Sequence, residues 1–517
     1  MLEDSRPRRV VPRWRASWKA AQTPEGQSNK SAIRPDLSRA LERAKRESEA
    51  ASQVVPIAAE LMFVAQQAGS RDLAVDAAQT ILSARDHISS SSLLKAADRI
   101  VSDIGVDSFV DSSVAFIKEA RRSLRMDFQN PVLLMDVALA MTASGNALSA
   151  ERFVKTALAL APTNRFILRS AVRYFLHLGQ REHAHYILLK SSLLKGDPWI
   201  QASEIAVATV LGKTSRLVKA TDRMLEASGV LLPNQSELGS AIATVHFNAG
   251  SDKRAKRLFA KTLDNPNDNV VAQAEWAARR LGLVVTEAAL KVKYSFEANS
   301  AYSYRVLRID KAIEQAIFWQ EDEPFASRPV SWLAHLYAIN DDFQLAAEYH
   351  QKVLELEKEH DTGDLLNLNF SRIETGALDE ALPQLLKLSK VADASKHRAQ
   401  ILANAGALTY AEGGIEEGRD LYEAAARTAK AAGDLKTEAL VRAFFARASV
   451  KYGDPQSANI IAAVAKLPTL NLNPSATHVV RRLVDEETKK RLESSSRGRV
   501  AKQKLEWDSV NNILTLK

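Results

Sequence analysis

Three histidines, His177, His183 and His185, fall within the stretch HLGQREHAH, and imidazoles this close together are a first place to look for a metal ion. A helix brings residues four apart onto one face, whereas His183 and His185 are two apart and diverge, and His177 lies across a turn from both. The spacing therefore reads as ordinary histidines on helix surfaces. The stretch GGIEEG at 413–418 has glycines but neither the Lys-Ser/Thr pair nor the preceding strand of a phosphate-cradling loop. At 264–269, DNPNDN offers the oxygens of a calcium loop without its bidentate Glu or its glycine at the required offset, and reads as a turn that ends a helix. No Ser-His-Asp set can be singled out. The chain has no cysteine, which excludes disulfides, thiolate zinc sites and thiol catalysis. The expectation is a protein with no catalytic residues, no cofactor and no metal.

Charge gives a second kind of chemistry. Residues 1–34 hold eight Arg or Lys against three acids, and residues 478–517 hold ten against six. The net charge of +8 therefore sits in the two ends, and the body between them is near neutral. The N-terminal run RPRRVVPRWRASWK sets Arg8, Arg9, Arg13 and Arg15 around Trp14, with Trp18 close behind. Two readings stay open. The run contacts nucleic acid or an acidic protein, its indoles stacking on bases, or it is a solvated leader or an arm resting on the rest of the chain. The helix HVVRRLVDEETKKRLE near the C-terminus poses the same choice, because its acids can pair with its own basic residues. No apolar run follows the basic N-terminus as a secretory signal requires, and no segment has the apolar length of a bilayer span. A cytoplasmic protein is expected, and the cysteine-free, helix-forming composition suits a bacterium.

The elements that must position these residues are helices. Between about 36 and 465 apolar residues recur at spacings of three and four, and Gly or Pro breakers divide the pattern into lengths suited to paired helices. Only the last residues, KLEWDSVNNILTLK, alternate as a strand would, and a strand there has no evident mate. The helical stretch repeats. Counting from Pro131, small Ala138, Gly145, Ala150 and Ala157 precede a helix-ending Pro162, and 34 residues later Val172, Gly179, Ala184, Ser191 and Gly196 stand in their places. Small residues let two helices approach closely, and glycine adopts the left-handed turn that closes the first of them.

This pattern resembles the tetratricopeptide repeat. Further units appear in HFNAGSDKRAKRLFAKTL, in WLAHLYAINDDFQLAAEYHQKVLEL and around Gly376, Gly413 and Tyr422, although the usual Trp is mostly missing and the later spacing drifts. The resemblance implies an all-α chain, a right-handed α-solenoid of helical hairpins with first helices lining a concave side. The expected organisation is a basic, disordered arm over 1–34, repeat blocks over 35–282 and 283–467 that continue one into the other through an irregular middle over 283–330, and a basic helix and tail over 468–517. The resemblance also implies that certain first-helix positions face the groove. In this chain those are Arg169 and Arg173, a pair able to grip a carboxylate or phosphate, and Asn367, Asn404 and Tyr410, where related repeats use Asn amides to hold a ligand's backbone. The Lys and paired Asn set of the chaperone-binding relatives is incomplete. The spacing Arg173-x-x-x-His177 is similar to that of helical ribonucleases of the HEPN type, but it falls inside a well-matched repeat helix. A non-enzymatic scaffold that binds a protein partner in its groove is the leading expectation. A nucleic-acid-associated accessory subunit using basic tails is the alternative.

Overall fold

The computed structural model describes residues 11–20, 42–46, 55–67, 71–85, 129–495 apart from 229, 358, 359 and 392, isolated positions between 88 and 117, and 505–508 and 513–516. These fall into two units, one of residues 7–299 with 318–326 and the other of 300–317 with 327–517. The division falls between 299 and 327, and a short segment, 318–326, returns to the N-terminal unit. The return has a physical cause: Phe325, fully buried, joins that unit's core.

In the N-terminal unit, helices Val55–Gln67 and Arg71–Ser83, Pro131–Ala143 and Ala147–Leu160, Arg165–His177 and Arg181–Lys190, and Pro233–Asn248 and Asp252–Thr262 pack as pairs. The first helices also pack on one another in order, from Pro131–Ala143 through Arg165–His177, Pro198–Val210 and Pro233–Asn248 to Asp268–Leu281. One hairpin cannot cover its own apolar stripe, so its neighbour does so. Ala138, Ala150, Ala157, Ala171 and Ala184 are completely buried at these seams. Gly145 and Gly179 have φ of 78° and 75°, the left-handed turn that sends the chain back along its own helix. The period is also written in the caps. Asn130 and Asn164 each accept a backbone N–H of the first turn through the side chain, and Asp197 does so one unit on.

The C-terminal unit repeats the theme with Ser327–Ile339 and Phe343–Leu356, Thr362–Glu374 and Leu378–Leu388, Arg398–Ala411 and Ile415–Ala431, and Leu435–Lys451 and Ser457–Ala465. Its last helix, Pro474–Ser495, lays Ala476, Val479, Val480, Leu483 and Val484 against the helix Leu435–Lys451 and the preceding turns. On its outer side Arg482 pairs with Asp341 at 3.1 Å. Beyond it, Leu505–Asp508 pairs antiparallel with Ile513–Leu516, Leu505 opposite Leu516 and Trp507 opposite Leu514. The expectation of a strand without a mate is corrected, because two short runs separated by Ser-Val-Asn-Asn make a hairpin of their own.

Two glycines let helices Arg398–Ala411 and Ile415–Ala431 of this unit approach closely. A Cβ at Gly418 would stand 2.7 Å from the ring of Tyr410, and one at Gly406 would stand 2.8 Å from the ring of Tyr422. Gly418→Ala is therefore expected to destabilise the C-terminal unit by about 1–3 kcal/mol through overpacking. A urea titration followed by circular dichroism checks this, and an unchanged midpoint contradicts it.

Candidate functional site

The helix Asp268–Leu281 begins at the DNPNDN stretch, where the Asn267 side chain caps the first turn by accepting the Val270 N–H at 2.9 Å. The same turn presents Asp268 and Asn269, both buried, on the side formed by the first helices. Asn267 and Asn269 donate to the Glu237 carboxylate at 2.5 and 3.3 Å, which fixes their amides. A second acidic turn, QEDEPF, supplies Asp322, Glu323 and Phe325, and the helix before it ends as Pro324 arrives. Asp136 comes from the first turns of Pro131–Ala143, and Tyr174 from Arg165–His177.

These groups hold the chain's own N-terminal arm. Asn269 donates its amide to the carbonyl of Val11 at 3.1 Å. Arg13 pairs with Glu323 at 2.7 Å and Glu297 at 2.5 Å, and lies 3.5 Å from Asp268. Arg15 donates its Nε to both oxygens of Asp322 and an Nη to Asp268 at 2.6 Å, with Tyr294 beneath its guanidinium plane. Tyr294 itself adopts φ of 61°, a left-handed backbone that costs a non-glycine residue energy. Between the two arginines Trp14 is 0 % exposed, with ring centroids 5.8 Å from Tyr174 and 5.2 Å from Phe325. Ser17 then opens the short helix Ser17–Ala20 by donating its backbone N–H and hydroxyl to Asp136 at 2.8 and 2.7 Å. Residues 11–20, expected as part of a disordered arm, are instead a seated peptide.

The electrostatics follow from burial among opposite charges. Burial works against the charge of Arg13 and Arg15, but the surrounding carboxylates outweigh it and raise both above their ordinary value. At Glu323 burial pushes the carboxyl up, while Arg13 and Arg173 prevail and hold it below the usual range. Burial lifts the Asp136 carboxyl to about 7 in spite of the two hydrogen bonds from Ser17.

The sequence-expected residues distribute as follows. Arg8 and Arg9 lie outside the described residues. Arg13, Trp14 and Arg15 form the seated core of the arm. Arg169 is buried and donates to the Trp199 carbonyl, Ser203 and Glu237 at 2.7–2.9 Å, so it ties three consecutive first helices together. Arg173 lies over Phe325 at 4.7 Å, and His177 meets the same ring edge-on at 5.5 Å. In the C-terminal unit Asn404 is buried between Asn369 and the Gln400 carbonyl, and Tyr410 donates to Asp454 at 2.7 Å. Asn367, partly exposed, is on the same helix as Asn369. His183 packs on Phe175 and His185 bonds Glu204 at 3.0 Å. Among the described residues no group of three or more His, Asp or Glu is placed to hold a metal ion, and no helix is long and apolar enough to cross a membrane.

The residues that sequence reasoning passed over are Asp136, Tyr174, Asp268, Asn269, Glu297, Asp322, Glu323 and Phe325. Their signal was present as two acidic turns matching an Arg-Trp-Arg run in charge. Asn269, and neither Asn367 nor Asn404, is the asparagine whose amide meets the arm's backbone.

Fold and site together define an all-α protein whose units are built of tetratricopeptide-like helical hairpins, the N-terminal one carrying residues 11–20 against side chains of its helices. No family model and no curated protein matches the chain. Among solved structures it is similar to YrrB, described as a TPR protein with an unusual peptide-binding site, at 16% identity over 41% of this chain and 93% of that one, with a TM-score of 0.25. It is also similar to the human IFIT1 dimer with m7Gppp-AAAA, at 15% identity over 76% of this chain and 95% of that one, TM-score 0.31. A third similarity is to the APC/C hetero-tetramer Cut9-Hcn1, at 12% identity over 81% and 92%, TM-score 0.31.

Two outcomes are expected. Arg169→Ala leaves Glu237 buried without its cation and lowers stability by about 3–5 kcal/mol, measured by chemical denaturation; a change below 1 kcal/mol contradicts the assigned role. The Asp136 carboxyl, raised from 3.8 to about 7, binds a proton in the folded chain that it loses when unfolded. The contribution of this carboxyl to stability is therefore fully present below that window and is lost as pH rises through it, and Asp136→Asn removes that part of the pH dependence. Urea midpoints across the window check the sign.

Proposed function

We propose that this protein is a non-enzymatic scaffold whose N-terminal unit binds an extended protein segment along its first helices. Its setting is proposed to be the bacterial cytoplasm, on the strength of the cysteine-free, helix-forming composition. The observation that carries the reading is the seating of residues 11–20. A carbonyl is held by an asparagine amide, an indole fills an aromatic slot, and both flanking side chains are ion-paired. Such an arrangement recognises backbone and side chains of an extended peptide at once.

The accessory-subunit alternative uses the same arm differently. With Arg13, Trp14 and Arg15 buried against carboxylates, the arm's central residues are engaged within the chain rather than offered to phosphates and bases. A peptide-display library panned on the full-length protein separates the two. The expected result is selected peptides that photo-crosslink to Pro131–Ala143, Arg165–His177 or Asp268–Leu281. Selection of no peptide there, with RNA or DNA binding that weakens steeply with salt, overturns the scaffold reading.

A further inference from the structure

Resting on that reading, we infer that the N-terminal unit is a receptor for foreign protein segments of the form Arg-aromatic-Arg, and that residues 11–20 are its resident competitor.

The chemistry of the occupant is set by the walls. Asp136, Asp268, Glu297, Asp322 and Glu323 face the arm, and the arm's own contacts with them come from two arginines and Ser17. The carboxylates meet the arm through charge-assisted bonds to its guanidinium groups, so the site favours cationic segments over acidic ones. The partition of Asp322 and Glu323 is geometric. Arg15 takes both oxygens of Asp322 through one Nε, while Arg13 spans Glu297 and Glu323 with separate Nη atoms. Lysine, a single-point donor, reproduces neither arrangement. Between the two charge sites, Tyr174 and Phe325 leave a slot that a planar ring fills, and Asn269 reads the carbonyl two residues before the first arginine. Together these fix a register of carbonyl, cation, ring, cation and hydroxyl. Charge complementarity and the seated segment itself thus define the ligand class.

Because the arm is part of the chain, its effective concentration at the site is high, on the order of millimolar. A foreign segment meets a receptor that is free only a fraction of the time, and its apparent affinity is reduced by that fraction. The arm thereby sets a threshold: segments that match only part of the register stay below it, and those with additional contacts displace the arm.

The test uses full-length protein and a fluorescent peptide of sequence VVPRWRASWKA, with a control in which both arginines become Gln and the first Trp becomes Ala. Trp14→Ala weakens the resident arm and leaves the receptor walls intact, so it is expected to raise affinity for the peptide at least tenfold. Adding Asp268→Asn and Asp322→Asn in that background is expected to reverse the gain. Should Trp14→Ala fail to melt cooperatively, hydrogen exchange on the unaltered protein replaces it, saturating peptide being expected to accelerate exchange over residues 11–20. The inference is overturned by a folded Trp14→Ala chain that binds no tighter, by equal binding of the control, by unchanged exchange under millimolar peptide, or by arms trading places between two copies with no gain for foreign peptide. Library peptides that crosslink to the same helices without the Arg-aromatic-Arg pattern would leave the scaffold reading standing and sink this one.

Discussion

Several carboxylates on one side of the N-terminal unit cannot be removed from water together unless cations come with them. Asp268, Glu297, Asp322 and Glu323 are all buried, and each faces Arg13 or Arg15. Burial of an ionised carboxylate is costly by itself, and only close, hydrogen-bonded opposite charge offsets the cost. Packing of Trp14 among Tyr174 and Phe325 and the inclusion of residues 318–326 in this unit follow from satisfying that condition.

The two units use similar means for different ends. In the N-terminal unit the polar groups on the first helices converge on a peptide. In the C-terminal unit they converge on the unit's own helices: Arg447 joins Asp341 and Glu374, Tyr410 and Arg419 share Asp454, and Tyr304 and His335 both meet Ser475. The long helix Pro474–Ser495 supplies apolar cover in the place where another hairpin would otherwise continue the stack. Burial lowers His335 and His350 to about 3, so both are neutral over the physiological range and act as packing groups.

The repeat was legible because its demands are local. Gly145 and Gly179 must turn left-handed, and Ala150 and Ala184 must be small, whatever the partner of the chain turns out to be. The site was only half legible because its demands are not local. Arg13 and Glu323 are 310 positions apart, and no spacing rule links an Arg-Trp-Arg run to an acidic turn that distant. DNPNDN shows the difficulty well. Weighed for an ion it lacks essential ligands, whereas its Asp268 and Asn269 serve a guanidinium and a carbonyl brought from the other end of the unit. Arg169 illustrates the opposite error: a groove position by repeat count becomes a bridge among helices, because consecutive first helices stand close enough for its guanidinium to reach Glu237.

That sequence separation has a consequence during synthesis. The ribosome finishes Trp14 long before Asp322, Glu323 and Phe325 emerge, and at about 5–20 residues per second the wait is roughly 15–60 s. For that interval a tryptophan between two arginines travels unsheltered while the hairpins that will receive it stack one by one. A segment made before most of its receptor is thus among the last to find its place, and its arrival reports that the N-terminal unit has been assembled through residue 326.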